Sequence, residues 1–221
     1  RRLARRAART AIFLQKRGQS ATITENQAKR AEGTTVKYAV TTFGNPVLRK
    51  KAVEIKAVTQ DIKDLAASML ETMYAEQGLG LAAEQVGRTE AICVVDVPPD
   101  CQGAEFVELN APVKMPLVLL NPVVSDPEGS LRRKEGCLSF PDLYAEVTRP
   151  RSCTVAYMGL DGRHYEARVH GMLARAVQHE VDHLNGVLLV DKMSPTQKAL
   201  SAGKLRRIKK ETLQDPNQAR A

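Results

Sequence analysis

The sequence predicts an α+β fold, from two changes in its hydrophobic pattern and one in its turn chemistry. Residues 61–75 repeat apolar side chains at helical spacing, with Ile62, Leu65, Ala66, Met69, Leu70 and Met73 on one face. Between 91 and 169 the pattern turns to short apolar or alternating runs, broken at 159–162 by a hairpin-type turn. From 171 the helical period returns twice. An order of helix, several strands, helix, helix is that of an α+β domain.

The elements follow in order. Residues 36–42 read as a strand and Phe43-Gly44-Asn45-Pro46 as a turn. The first helix spans 61–75, and a strand covers 91–97. Residues 98–116 are polar and rich in turn residues, and are expected to form a long inserted loop. Strands are predicted at 117–124, 144–149, 153–158 and 165–169. A helix over 171–184 and a basic C-terminal helix over 195–214 complete the pattern. The chain is long enough for one domain with a full core.

Charge is unevenly placed. Residues 1–37 hold ten Lys or Arg and two acids, a net of +8, which is the formal charge of the whole chain. The other 184 residues hold 23 of each sign. The basicity therefore belongs to a tail, and aromatic residues are not interleaved with it, which disfavours specific DNA or other nucleic-acid binding. The tail has no acid before Glu25 and is rich in Arg and Ala. It is expected to be a basic, disordered extension or an organellar transit peptide, with residues 38–221 as the single catalytic domain. The matching locations are the bacterial cytoplasm or, with a transit peptide, a mitochondrion or plastid. No run of 18 apolar residues occurs, so no membrane span is expected.

The chemistry is concentrated in Gln178-His179-Glu180-Val181-Asp182-His183-Leu184. Two histidines four apart on a helix share a face and can hold one metal ion. The glutamate between them is placed to take a proton from a metal-bound water. Downstream, the extended peptidase pattern fails, because Leu189 stands where its third histidine would be. The remaining downstream acids, Asp191, Glu211 and Asp215, end an apolar run or lie in a basic tail. Upstream stands Glu135-Gly136-Cys137-Leu138-Ser139. A thiolate is a strong ligand for zinc or ferrous iron, and Gly136 lets backbone approach metal or substrate closely. A third segment, Gly78-Leu79-Gly80-Leu81-Ala82-Ala83-Glu84-Gln85, is glycine-rich and carries an amide donor, Gln85. It is neither a dinucleotide fingerprint nor a phosphate loop, since it follows a helix and lacks Gly-Lys-Ser/Thr. Cys93 and Cys153 lie in apolar strand-like runs, Cys101 in a polar loop, and no Cys-x-x-Cys occurs. That suits a reducing compartment rather than a disulfide framework.

These three segments, in this order, resemble peptide deformylases, over about residues 42–207. The resemblance implies sheets around a central helix that carries the histidines. It also implies an iron-dependent hydrolase, with zinc or another divalent metal able to replace iron. Its substrate would be the formyl-methionyl end of a nascent polypeptide. Cys137, His179 and His183 would bind the metal, and Glu180 would serve as base. The Gln85 amide and the Leu138 backbone N–H would stabilise the oxyanion. Gly80 is expected to bind substrate backbone. Helix phase puts Met172 and Ala176 on the face of His179 and His183, bordering a methionine pocket with Leu79 opposite. Family members often carry an apolar residue two before the motif's glutamate; this chain has Arg133 at that outer wall. The resemblance also implies a transient ribosome contact through the C-terminal helix, where five cations lie within Lys204 to Lys210; the chain is expected to be a monomer rather than an oligomer. A metallopeptidase or other amidohydrolase with a Cys-His-His site is the rival, separable by formate release against internal peptide cleavage.

Overall fold

The computed structural model describes residues 36–216 and Gln218, all within one compact unit, Thr34–Ala221. Most of the basic tail expected over 1–37 thus lies outside the described residues. The elements are α1 (Gln60–Ala75), β1 (Gly80–Ala82), β2 (Ile92–Val95), α2 (Pro99–Gln102), α3 (Ala104–Asn110), β3 (Leu117–Glu128), β4 (Leu131–Gly136), β5 (Tyr144–Arg149), β6 (Ser152–Met158), β7 (His164–His170), α4 (Gly171–Leu184) and α5 (Pro195–Gln214). The α+β class is as predicted, and α4, β5 and α5 carry their predicted bounds.

Strand β2 shows how the layers arise. It lies second in an antiparallel sheet of order β1-β2-β3-β6-β7, and all four of its residues are buried. Alternation sends Ile92 and Val94 into the cluster built with Ile62, Leu65, Met69 and Met73 of α1. Cys93 and Val95 point the other way, into the cluster with Leu173, Ala174 and Val177 of α4. The two helices therefore cover opposite faces of one sheet. Each fully buried Leu, Ile or Val contributes roughly 1.5–3 kcal/mol, which is why this sandwich sets the fold. The hairpin of β4 and β5 forms a second, two-stranded sheet. It closes on the polar side of α4 and on a third cluster around Phe140, Leu143, Val147 and Leu189.

Four sequence expectations change. Residues 36–42 are extended but join no ladder. Two N–H groups go to α1 side chains, Val36 to Ser68 Oγ at 3.1 Å and Tyr38 to Thr72 Oγ1 at 3.0 Å, while those of Thr41 and Thr42 go to the Gln85 carbonyl and Gln218 Oε1. The expected loop over 98–116 holds α2 and α3, too short and polar to announce themselves. The segment Leu131–Gly136, with three consecutive cations, has weak strand propensity, yet pairs with β5 along its whole length. Strand β3 runs on to Glu128 through two register shifts, with Asn121 at φ 50° and Asp126 at φ 47°. Asn121 uses the first shift to grip Ile55, accepting from its N–H and donating to its C=O, both at 2.8 Å.

The inserted helices fix the start of α4. Asn110 accepts from the His170 N–H at 3.0 Å and donates to the His170 carbonyl at 3.2 Å. Gly171, the first residue of α4, has φ +58°, and a Cβ there would run into the Phe106 ring. Only glycine meets both conditions without strain. Gly171→Ala is expected to destabilise the protein by about 1–3 kcal/mol in equilibrium urea unfolding. Adding Phe106→Ala should recover part of that loss, as a non-additive double mutant.

Candidate active site

Helix α4 is buried on nearly every side, although four of its ten buried residues are polar. Leu173, Ala174 and Val177 serve the sheet, while Arg175, His179 and Asp182 face the β4–β5 hairpin. Buried charge of this kind is tolerated only when paired, and Glu135 of β4 does the pairing. Its carboxylate accepts from Arg149 Nε at 2.7 Å and Nη2 at 3.1 Å, and it also accepts from Arg175 Nη1. Arg149 reaches on to Asp182 at 2.7 Å, and Asp182 to Lys192 at 3.1 Å. Burial works to raise the Glu135 carboxyl, but the His179 hydrogen bond and the Arg149 guanidinium outweigh it and bring the pKa down to about 2.

The fourth partner of Glu135 is the functional one. His179 Nδ1 lies 3.2 Å from Glu135 Oε2, so its Nε2 is turned away from the carboxylate. A carboxylate behind an imidazole fixes ring orientation and raises ligand basicity. The metal-binding atoms of Cys137, His179 and His183 all lie within 4.8 Å of one another, and His183 Nε2 is 3.3 Å from Cys137 Sγ. Burial holds His183 well below the ordinary histidine range, helped by the fields of His179 and Arg149, so its imidazole is neutral. His179 moves the other way: burial opposes its charge, yet hydrogen bonds to Cys137 and Glu135 raise it well above that range. Sulfur and carboxylate together call for a positive centre between them. A thiolate and two imidazoles with a backing carboxylate fit a divalent cation. Among the described residues no fourth protein ligand joins them. Leu189, at the peptidase position, is buried in the third hydrophobic cluster.

The glycine-rich segment arrives on the other side. Its residues 80–82 form β1, and Ala83–Val86 a 3₁₀ turn that aims Gln85 inward. Gln85 Oε1 accepts from the Ala82 N–H at 2.9 Å, which leaves Nε2 to donate to Ser139 Oγ at 3.3 Å and toward Cys137 Sγ at 3.6 Å. Gly80 lies against Glu180, and a Cβ there would overlap its carboxylate. Glu180 is buried, and its Oε2 has no hydrogen-bond partner among the described residues. Burial lifts its pKa to about 7, against the pull of His179 and Arg149. Leu138 follows Cys137 directly, and its backbone N–H takes no acceptor among the described residues. Gly136 pairs with Tyr144, whose ring would stand 2.8 Å from a Cβ. Met172, Leu79 and Ala176 meet in the cluster beneath α4. The sequence motifs named Glu135 without giving it a task. Its partners Arg149 and Arg175 carry no local signal, because only the fold brings them to it.

A family sequence model described as polypeptide deformylase matches residues 37–199. The chain belongs to that family. A peptide deformylase of Endomicrobium trichonymphae is 37% identical over 174 residues, which is 79% of this chain and 96% of that protein. One of Rhizobium meliloti is 44% identical over 151 residues, 68% of this chain and 81% of the relative. The crystal structure of a peptide deformylase from Ehrlichia chaffeensis in complex with actinonin superposes with a TM-score of 0.70 at 34% identity, covering 79% of this chain and 97% of that one. Deformylases are metal-dependent hydrolases that remove the N-formyl group from nascent polypeptides, and this chain is such an enzyme. No helix among the described residues is long and apolar enough to cross a membrane.

Glu135→Gln tests the network. It keeps the shape but leaves Arg149 and Arg175 without their shared anion. Breaking one partner of a buried charge cluster is expected to cost about 3–5 kcal/mol of stability. Weakening the support of His179 should cost about 10–100-fold in metal affinity. Urea unfolding and competition with a chelator read the two effects separately.

Proposed function

We propose that Glu180, Gln85 and the Leu138 N–H carry out the deformylation, with Cys137, His179 and His183 holding the metal, in a catalytic domain of residues 38–221. Cys137, His179 and His183 would hold a divalent ion, which would supply Lewis-acid activation of water and of the substrate carbonyl. Glu180 Oε2 takes the proton of the attacking water. It then returns that proton to the peptide nitrogen as the C–N bond to the formyl carbon breaks, giving formate and a free amino terminus. The observation that carries this reading is the unpartnered, buried Oε2 of a carboxyl poised near neutrality, the pKa that suits a group acting first as base and then as acid. Gln85 Nε2 and the Leu138 N–H supply preorganised donors to the formyl oxygen. Leu79, Met172 and Ala176 offer an apolar recess for the methionine side chain. Gly80 and Gly136 allow substrate backbone to approach closely.

Glu180→Gln is expected to lower formate release from a formyl-methionyl peptide by roughly 10²–10⁴-fold, with metal content unchanged. Retention of a tenth of the wild-type rate at full metal occupancy would remove Glu180 as the base.

For the working metal we propose ferrous iron, on the family resemblance and a thiolate-containing ligand set that accepts iron or zinc. The iron form should lose activity in air, with oxidation at Cys137, while a zinc form is slower and air-stable. Equal activity and equal air stability of the two forms would contradict the choice.

The finer partner and location readings are a monomer in the bacterial cytoplasm (or in an organelle, if residues 1–37 are a transit peptide) that docks transiently on the ribosome through α5. Ile208 and Thr212 of α5 are buried, and Thr212 Oγ1 donates to the Phe43 carbonyl at 3.1 Å. Truncating the helix would therefore damage the fold, and charge reversal is the cleaner test. Arg206, Arg207 and Lys210 are exposed. Changing all three to Glu should weaken ribosome binding and flatten its salt dependence, with peptide deformylation in solution unchanged. Unaltered affinity and salt slope would leave α5 as a solvated face.

A further inference from the structure

The β4 strand carries three consecutive cations, and the structure assigns them different surroundings. Its ladder with β5 runs without a register shift, from Leu131 opposite Arg149 to Gly136 opposite Tyr144. Residues facing each other across such a ladder share a side of the sheet. Leu131, Arg133 and Glu135 thus lie on one side with Ala145, Val147 and Arg149, while Arg132 and Lys134 lie on the other. The outer pair is engaged there, Arg132 with Glu146 and Lys134 over the Tyr144 ring at 5.0 Å.

The inner side is the one that meets α4. Glu135, Arg149, Ala145 and Val147 are all buried on it. Arg133 alone among its central positions is exposed, so the cover over the hairpin opens above it. Arg175 of α4 marks the rim of that opening, donating to the Leu131 and Val147 carbonyls as well as to Glu135. Burial lowers the Arg175 pKa, and the fields of Arg149 and Arg133 push the same way, as a nearby Arg133 requires. Glu135 and Asp182 are already engaged by Arg149, Arg175 and Lys192, so neither is left to pair with Arg133. Arg133 has no ion-pair or hydrogen-bond partner among the described residues.

Its distance from the chemistry is set by the strand. Arg133 is two residues, about 7 Å, along β4 from Glu135, the residue that supports His179. A substrate held by its first residue at the metal ligands carries its second and third side chains about 3–7 Å further along an extended backbone. We propose that Arg133 is a specificity determinant that favours formyl-methionyl chains with an acidic side chain at the second or third residue. This rests on the deformylase reading and deepens it. The bland alternative, a solvated cation with no preference, differs in a measurable way.

The test is kcat/KM for formate release from formyl-Met-Asp-Ala, formyl-Met-Ala-Asp, formyl-Met-Ala-Ala, and the two peptides with Lys in place of Asp. The wild type should prefer Asp over Lys by about 3- to 5-fold at one of the two positions, through KM and with kcat unchanged, as expected for one exposed charge pair. The preference should shrink at high salt. Arg133→Gln should bring the ratio to one, and Arg133→Glu should invert it, with the change read in the KM ratio of the Asp and Lys peptides. Arg132→Gln, on the other side of the strand, should leave the ratio as it is. A wild type indifferent to Asp and Lys at both positions overturns the proposal, as does a preference that survives Arg133→Glu or is lost in Arg132→Gln. No formate from any of the five peptides would instead overturn the deformylase reading, and the specificity with it.

Discussion

One carboxylate organises this molecule. Glu135 is where the β4–β5 hairpin, the sheet-backed helix α4 and the metal ligands meet, through Arg149, Arg175 and His179. Arg149 and Arg175 are buried and His179 is mostly so, and a charge in that position is costly unless neutralised. The pairing therefore works as a constraint. The hairpin can close on α4 only in the register that brings Glu135 level with His179 and Arg175. That same register carries the next residues, Gly136 and Cys137, to the metal position. Folding of the hairpin and construction of the site are one event.

The candidate catalytic groups are held with less than full satisfaction. Among the described residues, Glu180 Oε2, His183 Nδ1 and both oxygens of Glu84 are buried with no hydrogen-bond partner. A stability optimum would pair them. Around a metal and a reacting water they must stay available, and the sandwich of α1, sheet and α4 supplies the stability that offsets the cost. Glu84 illustrates how the cost is limited. Burial, with the field of Glu180 adding to it, lifts its carboxyl to about 8. It is therefore neutral at pH 7, which is the form a buried, unpaired carboxyl can adopt.

Glycine enters the site as a matter of space. Gly80 has no conformation that demands glycine, but a side chain there would displace Glu180. Gly136 makes room in the same way for Tyr144. Gly171 differs, needing both its positive φ and the room beneath Phe106. The helices of the 98–116 insertion thereby control the first turn of the helix that bears the histidines, two turns before His179.

The sequence by itself determined the helix that carries the two histidines, the candidate ligand residues and the class of fold. These are local properties: a histidine pair at i and i+4 shares a face whatever surrounds it, and an amphipathic period over 61–75 or 171–184 needs no partner to be read. Cys137 was legible because downstream alternatives failed one by one. The tertiary structure decided what depends on distance in space. Val36–Thr42 has an extended pattern, yet whether it pairs depended on α1 side chains that take two of its N–H groups. Leu131–Gly136 has the composition of a loop and became a strand because β5 and the buried arginines hold it there. The task of Glu135 and the separate surroundings of Arg132, Arg133 and Lys134 follow from which side of the strand faces α4. Sequence alternation assigns the two sides, but only the packed fold says which of them is inside.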